Sequence, residues 1–244
     1  MVKLKMLALL SLITISSLLF ISFNKKKAAK VLIYHRTAAF VHKCIPAGIE
    51  AFKKLGKDNN IDFSFTEDST QFNDKNLEKF SAIMFFNTTG NVLSDSGQLA
   101  MEKFIRSGKG FIGIHSASDT EYGWPWYNQL VGAWFKNHPE QQEAVMKVLP
   151  TYYQTAVGLP AEWKMSEEWY NFRDTHWDKT TALILLDEKS YKGGNNGDPH
   201  PIAWYQPFDG GRSFYMGVGH KDETFKDPLY MKFLLEGIRY AIGK

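Results

Sequence analysis

The sequence predicts an α/β fold, in which an open, mostly parallel sheet flanked by helices is followed by an elaborated second half. Three observations support this prediction. Apolar strand-like runs alternate with helical patterns in the first part of the chain, as expected for parallel strands joined by crossover helices. After Trp124 the chain changes to short segments rich in aromatic residues. A content of 44% hydrophobic and 23% charged residues is ordinary for a globular chain of 244 residues.

The first part of the chain contains four apolar runs that predict strands, and they are Lys30–His35, Ile61–Thr66, Ser81–Asn87 and Gly110–His115. Between them, Ile45–Lys57 and Ser94–Ser107 carry apolar residues at helical spacing. Ser94 is a suitable N-cap for the second of these helices. This order of elements predicts the parallel part of the sheet.

The second part of the chain predicts five shorter strands, which are Glu143–Leu149, Met165–Phe172, Thr181–Leu186, Pro201–Tyr205 and Arg212–Val218. Asp209-Gly210-Gly211 is a hairpin signal between the last two strands. Phe225–Ile242 predicts a closing helix after the Asp227-Pro228 break. The chain shows no internal repeat and no long linker, so residues 29–244 are predicted to form one domain.

Residues 1–28 predict an export segment. Lys3 and Lys5 precede an uncharged run rich in Leu, Ile and Ser that extends from Leu7 to Phe23, which is typical of a signal peptide. A small-residue cleavage site is not clear, so an uncleaved N-terminal anchor is the alternative. We expect a periplasmic or extracellular protein whose only membrane contact is this segment.

Charge and cysteine content exclude several classes of site. The formal net charge is +3, and acidic and basic residues are mixed along the chain, so the basic surface of a nucleic-acid-binding protein is missing. Cys44 is the only cysteine, which excludes an internal disulfide and a cysteine-rich metal site. We expect Cys44 to be a buried helix residue, with a nucleophilic thiol as the alternative. The expected partner is a small molecule, and the oligomeric state is open.

Three of the seven histidines follow predicted strands. His42 lies in the loop after the first strand, His115 ends the fourth, and His220 follows the last. Ligands of an open α/β sheet bind beyond the carboxyl ends of its strands, where these residues should meet. Imidazole can act there as an acid, a base or a metal ligand. All three are therefore candidate ligands of a divalent metal such as zinc.

The fourth strand runs into a turn of small residues, which is the shape of a nucleophile elbow. His115 occupies the centre of this turn, a position that favours acid/base chemistry or metal binding over acyl transfer. Ser116 follows it, so a serine hydrolase is an alternative. Two carboxylates, Asp119 and Glu168, complete the predicted catalytic set of His115, Asp119, Glu168 and His220.

Aromatic residues are concentrated in the second part of the chain, where all seven tryptophans fall between Trp124 and Trp204. Sugars offer C–H faces to aromatic rings and hydroxyls to carboxylates, and these stretches contain both kinds of group. We predict that a carbohydrate is bound by His42, Trp124, Trp126, Tyr127, Tyr170 and Trp204. Trp134 and Trp177 are predicted to belong to the core.

Three blocks of sequence resemble a known family. GFIGIHSASDTEYGWPWYNQLVGAWFKNHP, EEWYNF and HPIAWYQPFDGGRSFYMGVGH, in this order, are similar to the ThuA-like family, named for trehalose utilisation. The resemblance covers nearly all of residues 30–243. It implies a flavodoxin-like core related to the class I glutamine amidotransferases. In those enzymes the elbow carries a catalytic cysteine, and in this chain that place matches His115, so we expect no glutaminase activity.

The resemblance also implies a role in carbohydrate catabolism, including steps in which a 3-keto-sugar is isomerised or cleaved. Such steps need proton abstraction beside a carbonyl, for which His115 or Glu168 is the expected base and His220 a second acid/base. Asp119 is expected to orient one imidazole, and a metal would polarise the carbonyl. We therefore predict an exported enzyme acting on a sugar, a keto-sugar or a glycoside. A non-catalytic carbohydrate-binding protein is the alternative.

Overall fold

The computed structural model describes residues 28–244, which form eleven strands and six α-helices. The strands are, in chain order, β1 (Ala29–Tyr34), β2 (Ile61–Thr66), β3 (Ala82–Phe86), β4 (Gly110–Ile114), β5 (Trp134–Asn137), β6 (Gln142–Val148), β7 (Glu162–Glu167), β8 (Asn171–Arg173), β9 (Thr181–Leu186), β10 (Pro201–Phe208) and β11 (Gly211–Met216). The helices are α1 (Ile45–Asn59), α2 (Asp74–Leu77), α3 (Asp95–Arg106), α4 (Pro125–Val131), α5 (Tyr152–Val157) and α6 (Pro228–Ala241).

A nine-stranded sheet in the order β2-β1-β3-β4-β11-β10-β9-β6-β7 forms the centre of the fold. The neighbours from β2 to β11 are parallel, and those from β11 to β7 are antiparallel. The first five strands have the flavodoxin-like order, with β11 in the fifth place. The predicted open, mostly parallel sheet with an elaborated second half is confirmed. A separate ladder pairs β5 with β8.

The helices that flank the sheet begin where the sequence supplies a cap. Ser94 Oγ accepts the Gly97 N–H at the start of α3, at 3.3 Å, as predicted for this residue. The Asp227 carboxylate accepts the Leu229 N–H at the start of α6, at 2.7 Å. Strands β3 and β4 are buried along their whole length, because helices cover both faces of a parallel sheet.

The structure corrects the strand predicted over residues 165–172. Met165–Phe172 is not continuous, since β7 ends at Glu167 and β8 begins at Asn171 in the other sheet. The Glu167 carboxylate accepts the N–H of Glu168 at 2.9 Å, a local side-chain contact that competes with strand pairing. The three residues from Glu168 to Tyr170 therefore form a loop.

The segment predicted as a signal peptide or anchor, residues 1–28, lies outside the described residues except for Ala28. Between residues 28 and 244, no helix has the length and apolar character needed to cross a bilayer. The prediction of export stays a prediction.

The contact between β4 and α6 depends on a glycine. A Cβ atom on Gly110 would overlap the carbonyl oxygen of Ala241, whereas a Cβ on Gly123 would meet nothing within 4 Å. We expect Gly110→Ala to lower the free energy of unfolding by about 2 kcal/mol through overpacking, and Gly123→Ala to change it by less than about 0.5 kcal/mol. Urea unfolding of the two variants measures this difference, and equal effects would contradict it.

Candidate metal centre at the carboxyl edge of the sheet

The three predicted histidines converge at the carboxyl edge of the parallel strands. The ring centroids of His42 and His115 are 4.9 Å apart, those of His42 and His220 are 5.1 Å apart, and those of His115 and His220 are 5.4 Å apart. His42 lies between β1 and α1, His115 directly follows β4, and His220 follows β11. The meeting predicted from the strand ends is confirmed.

Glu168 completes this cluster from the loop after β7. Its Oε2 atom lies 3.3 Å from His115 Nε2 and 3.1 Å from His220 Nδ1. One ligand atom from each of His42, His115, Glu168 and His220 lies within 4.8 Å of the others. We call these four residues the His₃Glu cluster. Its size and chemistry allow it to hold a metal ion.

The His115 ring is oriented in the way that is usual for an imidazole that binds a metal. His115 Nδ1 lies 2.8 Å from the Gly217 carbonyl oxygen, which can only accept, so Nδ1 carries a proton and Nε2 is the nitrogen that faces the cluster. His115 Nε2 and His220 Nδ1 are buried, and neither forms a hydrogen bond of good geometry with a described residue, although Glu168 Oε2 lies 3.3 and 3.1 Å away. Buried polar atoms without a partner are costly, and a metal ion would satisfy both.

The charge state of the cluster also suits a cation. Burial, assisted by the charges of His115 and His220, lowers the pKa of His42 to about 2, so this imidazole is neutral. Burial alone would raise the pKa of Glu168, but the neighbouring imidazoles of His115 and His220 outweigh it and hold that pKa well below its ordinary value. The cluster therefore offers an anionic carboxylate beside a neutral imidazole, which are the protonation states that metal ligands need.

The elbow predicted around His115 is present. His115 has a φ of +49°, a left-handed conformation that non-glycine residues rarely adopt, and a short 3-10 turn covers His115–Ser118. The Tyr215 hydroxyl donates to the His115 carbonyl oxygen at 2.7 Å and fixes the strained residue. Backbone strain held by the surrounding structure is typical of functional sites.

Glu167 is a positioning residue that the sequence did not single out. Its buried carboxylate accepts the backbone N–H groups of Glu168 at 2.9 Å, His220 at 3.3 Å and Lys221 at 3.3 Å, as well as the Thr224 hydroxyl. It thereby joins the loop of Glu168 to the loop of His220. Of the two consecutive glutamates, Glu168 is the one whose carboxylate faces the side chains of His115 and His220.

His138 is a further neighbour of the cluster. Its Nε2 atom lies 3.4 Å from Glu168 Oε1, on the opposite carboxylate oxygen from His115 and His220, and its side chain is 42% exposed. His138 therefore stands between Glu168 and solvent.

Asp119 does not orient an imidazole, which corrects its predicted role. Its carboxylate accepts a hydrogen bond from the Tyr122 hydroxyl, whereas Gly217 and Glu168 are the partners of His115. Burial raises the pKa of Asp119 above its ordinary value, although the Tyr122 hydrogen bond opposes this effect. A half-buried carboxyl of this kind can act as a general base in its own right.

The predicted wall of aromatic rings is also corrected. Trp204 is fully buried, stacks on Tyr215 with centroids 4.4 Å apart and donates to the Val131 carbonyl oxygen. Tyr127 is fully buried and donates to the Ala117 carbonyl oxygen at 2.6 Å. Both rings belong to the core, because aromatic spacing alone does not reveal which face of an element is covered.

Trp124 and Trp126 stack on each other with centroids 5.1 Å apart, and Trp124 Nε1 donates to Glu102 of α3. Trp126 Nε1 donates to Asp209 in the β10–β11 turn, which is at the opposite edge of the sheet. Among the predicted sugar-binding rings, Tyr170 does reach the site. It is buried and stacks on His115 with centroids 4.2 Å apart, so it supports that imidazole.

The two residues considered as nucleophiles are both buried. Ser116 Oγ lies 3.4 Å from His42 Nδ1 and is fully covered. Cys44 Sγ accepts a hydrogen bond from Asn87 and donates one to the Gly219 carbonyl oxygen, and burial raises its pKa to about 12. A protonated, inaccessible thiol has a structural role, as expected for Cys44.

The fold and the site together define an α/β protein of flavodoxin-like strand order with a histidine–carboxylate cluster at the edge where such sheets bind ligands. The family model described as "ThuA: Trehalose utilisation" matches residues 30–241. The chain therefore belongs to the ThuA family, and the resemblance in its three sequence blocks is confirmed. No functionally curated protein resembles the sequence closely enough to count as a match.

Solved structures agree with this fold. A ThuA-like protein from Bacteroides uniformis superposes with a TM-score of 0.75 at 24% identity, over 91% of this chain and 95% of that one. A ThuA-like protein from Parabacteroides merdae gives a TM-score of 0.72 at 16% identity, over 89% and 91% of the two chains. A β-galactosidase from Bacillus circulans gives 0.57 at 12% identity, over 89% of this chain but 31% of the enzyme. At these identities the likeness is one of fold.

Acid should destabilise the metal-free protein through His42. Its pKa is about 2 in the folded protein against an ordinary value of 6.5. Below pH 6.5 the unfolded chain binds a proton that the folded chain does not, so the free energy of unfolding falls as the pH decreases. His42→Asn removes this contribution and should flatten the fall by about 1 kcal/mol per pH unit.

Urea unfolding between about pH 4.5 and 6.5, with a chelator present, measures this slope. His138→Asn is the control for the loss of one histidine at the same site. Equal slopes for the wild type and His42→Asn would contradict a neutral His42 in the fold.

Proposed function

We propose that this ThuA-family protein is an exported, metal-dependent enzyme that acts on a keto-sugar or its glycoside through the His₃Glu cluster. The observation that carries the proposal is the convergence of four ligand atoms within 4.8 Å, two of which, His115 Nε2 and His220 Nδ1, are buried and form no good hydrogen bond within residues 28–244. The carbohydrate substrate class is supported by the family description of trehalose utilisation. Export is supported by the N-terminal segment with Lys3 and Lys5 ahead of an apolar run.

Imidazole and carboxylate ligands together suit divalent transition metals such as zinc, manganese and cobalt. When bound, the metal would polarise a substrate carbonyl. His42, His115, Glu168 and His220 would then be ligands, which replaces the acid/base roles predicted for His115, Glu168 and His220. Glu167 and the Gly217 carbonyl hold the ligands in place.

Asp119 is the proposed general base. It lies four residues after His115 and interacts electrostatically with both His115 and Glu168. Its raised pKa makes it a stronger base than an ordinary aspartate near neutral pH. Asp119 removes the proton from the hydroxyl-bearing carbon beside the carbonyl and delivers it to the carbonyl carbon, while the hydroxyl proton passes to the former carbonyl oxygen. The substrate is thereby isomerised without any oxidant or reductant.

Metal binding is the first test of this proposal. We expect the metal-stripped protein to bind one equivalent of zinc, manganese or cobalt in calorimetric titrations, with a rise in Tm because the metal binds the folded state. His115→Ala and Glu168→Gln should each weaken binding by about a hundredfold or more. Glu67→Gln is the matched control, because Glu67 pairs with His35 outside the cluster at 3.1 Å. No cluster-dependent binding of any of the three metals would overturn the proposal.

Turnover is the second test. We expect the metal-loaded protein to isomerise or cleave methyl 3-keto-α-glucoside, followed by NMR. Asp119→Asn should lower kcat by about a hundredfold or more while metal affinity is kept, because only the base is lost. Since the base must be deprotonated, activity should fall on the acid side of a pKa that lies above the ordinary aspartate value, and this acid limb should vanish in the variant.

Ligand binding without turnover across keto-sugars and their glycosides would instead support the non-catalytic carbohydrate-binding protein. If Asp119→Asn keeps its turnover and the same fall in activity at low pH, another residue is the base.

A further inference from the structure

An exposed phenylalanine stands beside the His₃Glu cluster. Phe40 is 59% exposed, although large apolar side chains are usually covered. Its ring meets His42 edge-on with centroids 4.9 Å apart and lies nearly parallel to His220, with centroids 6.4 Å apart and an interplanar angle of 21°. Phe40 therefore presents an open aromatic face next to two of the proposed metal ligands.

The exposure of Phe40 is built into the loop. The Phe40 carbonyl oxygen accepts a hydrogen bond from Thr89 Oγ1 at 2.9 Å, and the same oxygen atom of Thr89 accepts the Ala39 N–H at 3.3 Å. The Ala38 N–H donates to the Thr89 carbonyl oxygen at 2.8 Å. Thr89 is fully buried, so three hydrogen bonds fix the loop to the sheet edge. These bonds fix the backbone from which the Phe40 ring projects.

The surroundings of this ring are polar on one side. His220 and His138 are the partly exposed imidazoles around Glu168, and both lie within 3.4 Å of its carboxylate. These two imidazoles are the parts of the site that solvent reaches, and the ring of Phe40 stands beside His220. A ligand that contacts both Phe40 and the cluster needs an apolar face for the ring and oxygen atoms for the cluster. A pyranose has both.

We propose that Phe40 is the platform for the pyranose ring of a glycoside whose oxygen atoms reach the His₃Glu cluster. The proposal rests on the proposed function and names the substrate contact that the buried tryptophans do not provide. The polarised C–H groups of a sugar face are attracted to the electron-rich face of an aromatic ring. Phe40 would thus select cyclic sugars over small open-chain compounds that carry the same keto–hydroxyl pair.

A pair of probes separates the platform from the cluster. Methyl 3-keto-α-glucoside offers a keto–hydroxyl pair on a pyranose ring, whereas hydroxyacetone offers the same pair without a ring. In the zinc-loaded protein, Phe40→Ala should weaken binding of the glucoside by about five- to tenfold and leave hydroxyacetone within about twofold. Phe40→Trp should restore the glucoside affinity. Leu99→Ala is the matched control, because Leu99 is 58% exposed on α3.

The outcomes distinguish this proposal from the metal site. If Phe40→Ala lowers the affinity for both probes equally, Phe40 only supports the cluster. If it lowers neither affinity, Phe40 does not contact the ligand. Either result overturns the proposed platform. If the protein binds no metal, saturation-transfer NMR with methyl α-glucoside and metal-free protein tests the ring contact alone. A saturation-transfer signal on the sugar that is present with the wild type and lost with Phe40→Ala would support the platform. Equal signals with the wild type and Phe40→Ala would overturn it.

Discussion

The buried carboxylate of Glu168 is the constraint on which the rest of the site depends. An anion removed from water is costly unless nearby groups compensate it. His115 and His220 approach one oxygen of this carboxylate and His138 the other. This arrangement brings ring nitrogens from separate loops to one point, while Glu167 joins the loops behind them. Ligand atoms of His42, His115, Glu168 and His220 lie within 4.8 Å of one another, so the geometry suits an ion at their centre.

The topology explains how distant residues reach this point. Parallel strands β1, β4 and β11 end at the same edge, so the loops that carry His42, His115 and His220 meet there. Glu168 comes from the antiparallel extension, whose outermost strand β7 is interrupted just before this residue. The extension thereby adds the negative ligand that the parallel core does not supply. A core of flavodoxin-like order and an added set of strands together make a site that neither contains alone.

The sequence predicted the features that depend on where strands end. The predictions that failed are those that depend on which side chains are buried. The meeting of three histidines and the elbow at His115 needed only the order of strands and the direction of a parallel sheet. The aromatic wall failed because the spacing of Trp124, Trp126 and Trp204 does not reveal which face of each element is covered. Phe40 was missed for the converse reason, since a loop phenylalanine carries no sequence signal that it stays exposed. The loop after Glu167 is held by the local hydrogen bond to the Glu168 N–H and by long-range bonds to the loop of His220, and a local pattern contains no signal for the long-range bonds.

The most direct measurement is a crystal structure of the zinc-soaked protein with anomalous diffraction recorded on both sides of the zinc absorption edge. We expect one anomalous peak bounded by His42, His115, Glu168 and His220, with nitrogen and oxygen ligands about 2.0–2.2 Å from the ion. An ion bound at another place, or a His₃Glu cluster that stays without anomalous signal under saturating zinc, would contradict a metal centre at this edge of the sheet.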